Sequence, residues 1–294
     1  MSPAKTQRES LVAIASLATL IAGTDLLVNG LVYPLESARS DVGSHYELRG
    51  PYFGALDLAA GENPYRATGE RPSDVMARRY GIARMDTLYA PPVLAVFVPI
   101  SHLRFSRAKV VVLVTGFVCA VVAIIALSSA AAGPSSSLEP SGLAMMALLV
   151  GGSRWLHQTL ALGQLNAETL LFIALGFAAL RCGREEWGGC MLALAGLVKP
   201  IPLILLMGLA IGRRYRALAA AGVCLVAAYG LTAAVYGLVP LESYAATLTR
   251  ASGDLNVSKD NQSLVAAILR LVMDEPHNTL WAGARSSPRL PHWV

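Results

Sequence analysis

The run VVVLVTGFVCAVVAIIALSSAAA, Val110–Ala132, decides the architecture, because it holds no charged residue from end to end. A helix rises about 1.5 Å per residue, so about 20 apolar residues cross the hydrocarbon core of a bilayer. Composition places the whole chain in the same class. Of 294 residues, 54% are hydrophobic and 15% are charged, and mean hydropathy is +0.52. Soluble domains carry about 25% charged residues. The expected fold is therefore all-α, a polytopic transmembrane helical bundle forming one integral membrane domain over residues 1–294.

Reading outward from that run gives a topology. On its N-terminal side Arg104, Arg107 and Lys109 form a basic cluster, expected to be a cytoplasmic loop. Before the cluster, YAPPVLAVFVPISHLRF is expected to form the second crossing from Tyr89. Pro91 and Pro92 suit the start of a helix, where a missing N–H costs little. The first crossing is expected at Leu11–Leu35, with Lys5 and Arg8 holding the N-terminus in the cytoplasm. The apolar run continues through DLLVNGLVYPL, which favours an uncleaved anchor over a signal peptide. Asp25 and Asn29 lie inside it, either facing other helices or serving a function, since ionisable groups in lipid are costly. The polar stretch 36–87 then becomes an outer loop.

Beyond Ala132, GPSSSLEP lacks Lys and Arg and is expected outside. Two long apolar stretches follow, interrupted at Gly151–Arg154, His157, Gln164 and KPIP, and each reads as full spans or as pairs of shorter helices. Ala217–Leu238 is a cleaner span. The tail is mixed, with an amphipathic QSLVAAILRLVM and a polar end over 275–294. The expected count is seven crossings or more, with the tail outside.

Several function classes drop out. Net charge is +5, but the basic residues sit in short clusters between apolar runs, where orientation signals belong, so nucleic acid is not an expected partner. Cys119, Cys182, Cys190 and Cys224 lack metal-ligand spacing. Walker, Rossmann, zinc and Ser/His/Asp signatures are absent. Asp41, His45 and Glu47 are the one grouping that resembles a metal set; no cofactor and no metal site is expected, and dependence on a divalent metal stays open. Asn256 and Asn261 open Asn-X-Ser triplets, which are common by chance.

Five polar islands remain: ELRGPYFGALDLAAGENPYRA (Glu47–Ala67), YAPP (Tyr89–Pro92), GQLN (Gly163–Asn166), KPIP (Lys199–Pro202) and DNQSL (Asp260–Leu264). Taken singly, each has a bland reading: a solvated helix face, a snorkelling lysine, helix-packing glue. Their order resembles that of the membrane glycosyltransferases of family 87, the polyprenyl-phosphate-mannose-dependent mannosyltransferases of the GT-C superfamily. The resemblance runs from the first span to about Arg270.

That resemblance implies an inverting hexose transfer, mannose foremost, from a polyprenyl-phosphate donor to a glycan or glycolipid acceptor. The reaction would occur on the outer face of the cell membrane. An acid in the first outer loop would be the general base. The family commonly has an Asp about seventeen residues before its Pro-Tyr stop, and counting back from Tyr65 reaches Glu47, a Glu in place of that Asp. Asp57 is the second candidate. The resemblance places Arg49, Tyr65, Tyr89, Gln164, Asn166, Lys199, Asn261 and Gln262 around the donor or substrate. Arg49, Lys199 and Arg154 are the cations available to a lipid phosphate.

A continuous helix would set Asp57 about 80° around the axis from Glu47, on a stripe with Gly50, Gly54 and Gly61. That stripe either admits a sugar or packs tightly on the bundle. Two other functions stay open: a transporter or flippase of an amphipathic substrate, and an inactive, truncated glycosyltransferase homologue.

Overall fold

The computed structural model describes residues 3–40, 45–66, 71–132 and 150–253. Among these every element is helical. Met1–Tyr244 form one compact unit, and a second begins at Ala245. Asn261 and Gln262 lie outside the described residues, as does Asp41.

The chain opens with α1 (Pro3–Leu27), a π-helical turn (Val28–Val32) and α2 (Tyr33–Ala38), one unbroken helical path. Pro34 removes a backbone donor and crowds the carbonyl four residues earlier, and the wider turn just before it accommodates both effects. A 3₁₀ turn (Tyr46–Leu48) leads into α3 (Arg49–Ala59), followed by α4 (Pro72–Arg79), α5 (Pro91–Ser101) and α6 (Phe105–Ala132). Next come α7 (Arg154–Leu162), α8 (Asn166–Arg181) and α9 (Glu185–Val198). After a 3₁₀ turn (Ile201–Leu203) the chain forms α10 (Ile204–Ile211), α11 (Tyr215–Tyr236) and α12 (Val239–Gly253).

Among the described residues three helices are long and apolar enough to cross a bilayer: Val12–Ala38, Phe105–Ser129 and Tyr215–Tyr236. Their flanks carry exposed aliphatic side chains, with Leu20 66%, Val226 74% and Leu231 69% accessible. A protein that turns such residues outward along whole helices is solvated by lipid. Inside, Leu26, Leu113, Ile124, Leu156 and Leu160 join α1, α6 and α7, while Leu180, Leu192, Leu209 and Ala217 join α8 to α11. Asp25 is half-buried against α7, whereas Asn29 is exposed. Asn29 donates to Asp25 Oδ1 at 2.5 Å, and His157 Nε2 of α7 lies 3.5 Å from Asp25 Oδ2.

The second crossing expected from Tyr89 is not one. Helix α5 has 11 residues, about 16 Å of rise against the ~30 Å of a hydrocarbon core. Its two flanks both rest on α3. A Cβ at Gly54 would sit 3.0 Å from Thr87 Cγ2, ahead of α5, and the Tyr52 hydroxyl donates to Leu103 O at 2.6 Å, behind it. The basic cluster that follows is correspondingly not across the membrane from the 36–87 stretch. Lys109 is fully buried, donates from Nζ to Ser40 O at 2.6 Å, and lies 5.2 Å from the Phe105 ring centroid. Phe105 in turn packs on Tyr52 and Phe53. Arg104–Lys109, Ser40 and the start of α3 therefore share one end of the bundle. Helix α6 begins where the first span ends.

Candidate active site

That end is assembled from four of the five polar islands. Its foundation is the turn at His45, which adopts a left-handed conformation (φ 62°) and donates its amide to Ala161 O at 3.0 Å, docking the turn on the last residues of α7. Gly163 ends α7 with φ 71°, and a Cβ there would approach Leu48 Cβ to 3.0 Å and His45 Cβ to 3.2 Å. The Gly of GQLN thus serves two purposes, the left-handed cap and room for the Glu47 turn.

Tyr89 ties three islands together. Its hydroxyl accepts from Leu165 N at 3.4 Å, and its carbonyl accepts from the Tyr65 hydroxyl at 2.6 Å. Tyr65 is held by the preceding stop, where Asn63 Oδ1 accepts from Tyr65 N at 3.1 Å and Asn63 Nδ2 donates to Ser243 Oγ at 2.7 Å. Within GQLN, Asn166 Nδ2 donates to Gln164 Oε1 at 2.6 Å and to Thr159 Oγ1 at 3.0 Å.

Lys199 closes the arrangement. KPIP breaks the path between α9 and α10, because Pro200 forces the residue before it into the extended region, and Lys199 has φ −140° and ψ 136°. Burial pushes its ammonium below the usual lysine range, and the carboxylate of Glu47 opposes that shift. Burial also pushes the Tyr89 phenol up, with Glu47 and Glu168 pushing in the same direction. Glu47 thus lies within electrostatic reach of Tyr89 and of Lys199, and Glu168 within reach of Tyr89, the four coming from separate segments. Glu47 is half-buried on its 3₁₀ turn.

The second acid has a different environment. Asp57 is fully buried, accepting from Ser73 N at 2.9 Å and from Ser73 Oγ at 2.8 Å. Arg84 Nη2 is 3.7 Å and Arg71 Nε 3.9 Å from its Oδ2. Both arginines also reach Asp74 and Asp86. Burial pushes the Asp57 carboxyl up, and Ser73 and Arg71 pull against it. The glycine stripe resolves to tight packing. The chain is 3₁₀ at Glu47 rather than α-helical, and Gly50 and Gly54 face Asp86, Thr87 and Leu94. Gly61 lies past the helix end with φ 74°.

Of the proposed phosphate cations, Arg49 donates to Ala83 O at 3.3 Å, stapling the loop, and Arg154 is exposed at the opposite end of α7 from Gly163. Of the three, Lys199 is the one whose ammonium feels the Glu47 carboxylate. Among the described residues no group of three or more His, Cys, Asp or Glu side chains is placed to hold a metal ion.

Beside the polar cluster runs a cavity of roughly 630 Å³ between α5, α6, α8, α9 and α11. Its walls are apolar, from Pro92 and Phe97 to Phe172 and Val235, and it reaches Leu165 and Val198, the chain neighbours of Gln164 and Lys199. Glu168 is the one charged residue of its lining. Sequence reading passed over Glu168 because it sits in the apolar run NAETLLFIAL, although an ionisable residue in such a run is itself a signal.

A helical membrane bundle with a half-buried acid, a desolvated lysine and an apolar groove at one end suits an enzyme acting on amphipathic substrate. The sequence matches glycosyltransferase family 87 over residues 87–285, more than half of the chain, and the protein belongs to that family. Tyr89, Gln164, Asn166, Lys199, Glu168, Asn261 and Gln262 fall within the matched segment, and Glu47 and Asp57 precede it. No curated protein and no solved structure matches the chain. Family membership favours a sugar-transferring enzyme over a transporter or flippase.

Proposed function

We propose that this glycosyltransferase moves a hexose, mannose foremost, from a polyprenyl-phosphate donor to a hydroxyl of a glycan or glycolipid acceptor, with inversion, at the outer face of the cell membrane. The observation that carries the reading is the meeting of Glu47, Tyr89 and Lys199 beside the apolar cavity. A polyprenyl chain needs an apolar groove, and its phosphate needs a cation at the groove's end. The acceptor hydroxyl needs a carboxylate across from that cation.

In the step proposed, Glu47 takes the proton of the acceptor hydroxyl as its oxygen attacks the anomeric carbon. The bond from that carbon to the phosphate oxygen breaks on the opposite side, and the lipid phosphate leaves with the electron pair. Lys199 stabilises the charge that accumulates there. Tyr89 and Tyr65 hold the loop over GQLN. Asp57, sealed by Ser73, Arg71 and Arg84, positions the loop.

The short turns at the other end of the bundle support the orientation proposed. Arg214 Nη1 donates to Leu180 O at 3.2 Å and lies 3.8 Å from Glu185 Oε1, so the α8–α9 and α10–α11 turns lie side by side. They hold Arg181, Arg184, Arg213, Arg214 and Arg216. Short loops rich in Arg stay in the cytoplasm, whereas long segments such as 36–109 escape that rule.

The test is Glu47→Gln in protein reconstituted in lipid. Gln keeps size and hydrogen bonding but takes no proton, so turnover should fall about 10²–10⁴-fold while the protein still binds a polyprenyl-phosphate sugar. Transfer at the wild-type rate would overturn the assignment of Glu47. Absence of transfer in the wild type as well would favour an inactive homologue.

A further inference from the structure

Glu168 stands in the first turn of α8, where the helix faces α6 and the cavity. Its Oε2 is buried and has no hydrogen-bond partner. On the α6 side the backbone comes close, and a Cβ at Gly116 would sit 3.5 Å from Oε1. An unpartnered carboxyl oxygen against an apolar cavity weakens the fold, and a leucine there would complete the wall without that cost. The group therefore has a use that the free protein does not satisfy.

We propose that Glu168 is a specificity-determining residue that accepts a hydrogen bond from a hydroxyl of the donor's sugar. This rests on the polyprenyl-phosphate donor proposed above. Chemistry selects the hydroxyl. A polyprenyl chain has no hydrogen-bond donor. A phosphodiester carries no proton near neutral pH, and its negative charge repels a carboxylate. The sugar's hydroxyls are the donors such a lipid possesses. Location agrees, because Glu168 and Glu47 both act on the Tyr89 phenol, which places Glu168 where the groove meets the reacting groups and not along the lipid tail.

Glu168→Leu and Glu168→Gln would be compared with wild type in nanodiscs, using polyprenyl-phosphate mannose and the series of its monodeoxy analogues. Glu168→Leu should cut kcat/KM for the full donor about 10–100-fold, the worth of a hydrogen bond to a charged group. Glu168→Gln, which keeps an acceptor oxygen, should lose less. One deoxy donor should lose a similar factor with wild type and nothing further with Glu168→Leu. Melting temperature should hold or rise in Glu168→Leu. Equal kcat/KM for wild type and Glu168→Leu overturns the proposal, and so does a loss of the same size for every deoxy donor. Should Glu168→Leu melt early, Glu168→Gln decides: its penalty for that one deoxy donor should be smaller than the wild type's, and an undiminished penalty overturns the proposal. Sugar-free polyprenyl phosphate should bind wild type and Glu168→Leu alike. If it binds neither, the donor reading fails, and this inference with it.

Discussion

The two ends of the bundle carry charges of very different kinds. At the end of the Glu47 turn, ionisable groups are withdrawn from solvent and held in place. Asp57 and Lys109 are fully buried, Arg71 is 6% accessible, and Lys199 is desolvated beside Glu47. At the other end the arginines lie in tight turns. Arg216 and Glu186 pair with side chains 77% and 52% accessible, and Arg213 and Gly183 reverse the chain through left-handed conformations. Exposed pairs of that sort contribute little to stability, and their role is to fix which way the chain is threaded. Buried groups cost free energy unless satisfied, so a cluster of them at one end marks where geometry has been fixed.

The comparison breaks outright if the ends do not lie on opposite sides of the membrane. Cys182 is an exposed thiol at the arginine-rich end, and Arg107 is exposed beside buried Lys109 at the other. On whole cells an impermeant thiol reagent should label Arg107→Cys in a Cys182→Ser background. It should miss native Cys182 until the membrane is permeabilised. Labelling of both from outside would dissolve the two-ended description, and the reverse pattern would put the Glu47 site in the cytoplasm.

Asp57 gives the next largest effect. Asp57→Ala removes the acceptor for both Ser73 donors and leaves Arg71 and Arg84 with Asp74 and Asp86 alone. Breaking a buried pair from one side costs about 3–5 kcal/mol. The remaining aspartates should keep this case near about 3 kcal/mol, seen as a lower melting temperature. An unchanged melting temperature would mean that the network is ornamental, and that Asp57 is free for other chemistry.

How far the sequence reveals this arrangement differs from residue to residue. Apolar runs announce a helical membrane protein, because hydrocarbon admits few alternatives, and Val110–Ala132 lies within the 28-residue α6. The breaks at GQLN and KPIP are legible because Gly163 and Pro200 interrupt helices for local reasons. Tertiary facts are not legible in this way. Hydropathy reads α5 and its flanks as a crossing, since nothing local says that both flanks will rest on α3. Lys109 looks like a loop cation until Ser40, 69 residues away, supplies its acceptor. The partner of Asp57 is a serine 16 residues on, across a turn. That Glu47, Tyr89 and Lys199 meet follows from how the helices pair, which no single island encodes.

His45 sharpens the comparison by the smallest margin. Its imidazole is fully buried at the base of the Glu47 turn. Burial, with the nearby Lys109 ammonium adding to it, pushes it from its ordinary 6.5 down to about 4. Between those values the unfolded chain binds a proton that the folded one refuses, so stability rises with pH across the window. The contribution is complete above pH 6.5 and is lost as pH falls to about 4. His45→Asn tests this cleanly, since asparagine tolerates the left-handed backbone (φ 62°) and does not titrate. Melting temperatures of the purified protein should decline from pH 7 to pH 4.5 more steeply in wild type than in His45→Asn. Equal slopes would remove His45 as the source of the acid sensitivity. The fixed geometry of the Glu47 turn would then owe nothing to a neutral histidine beneath it.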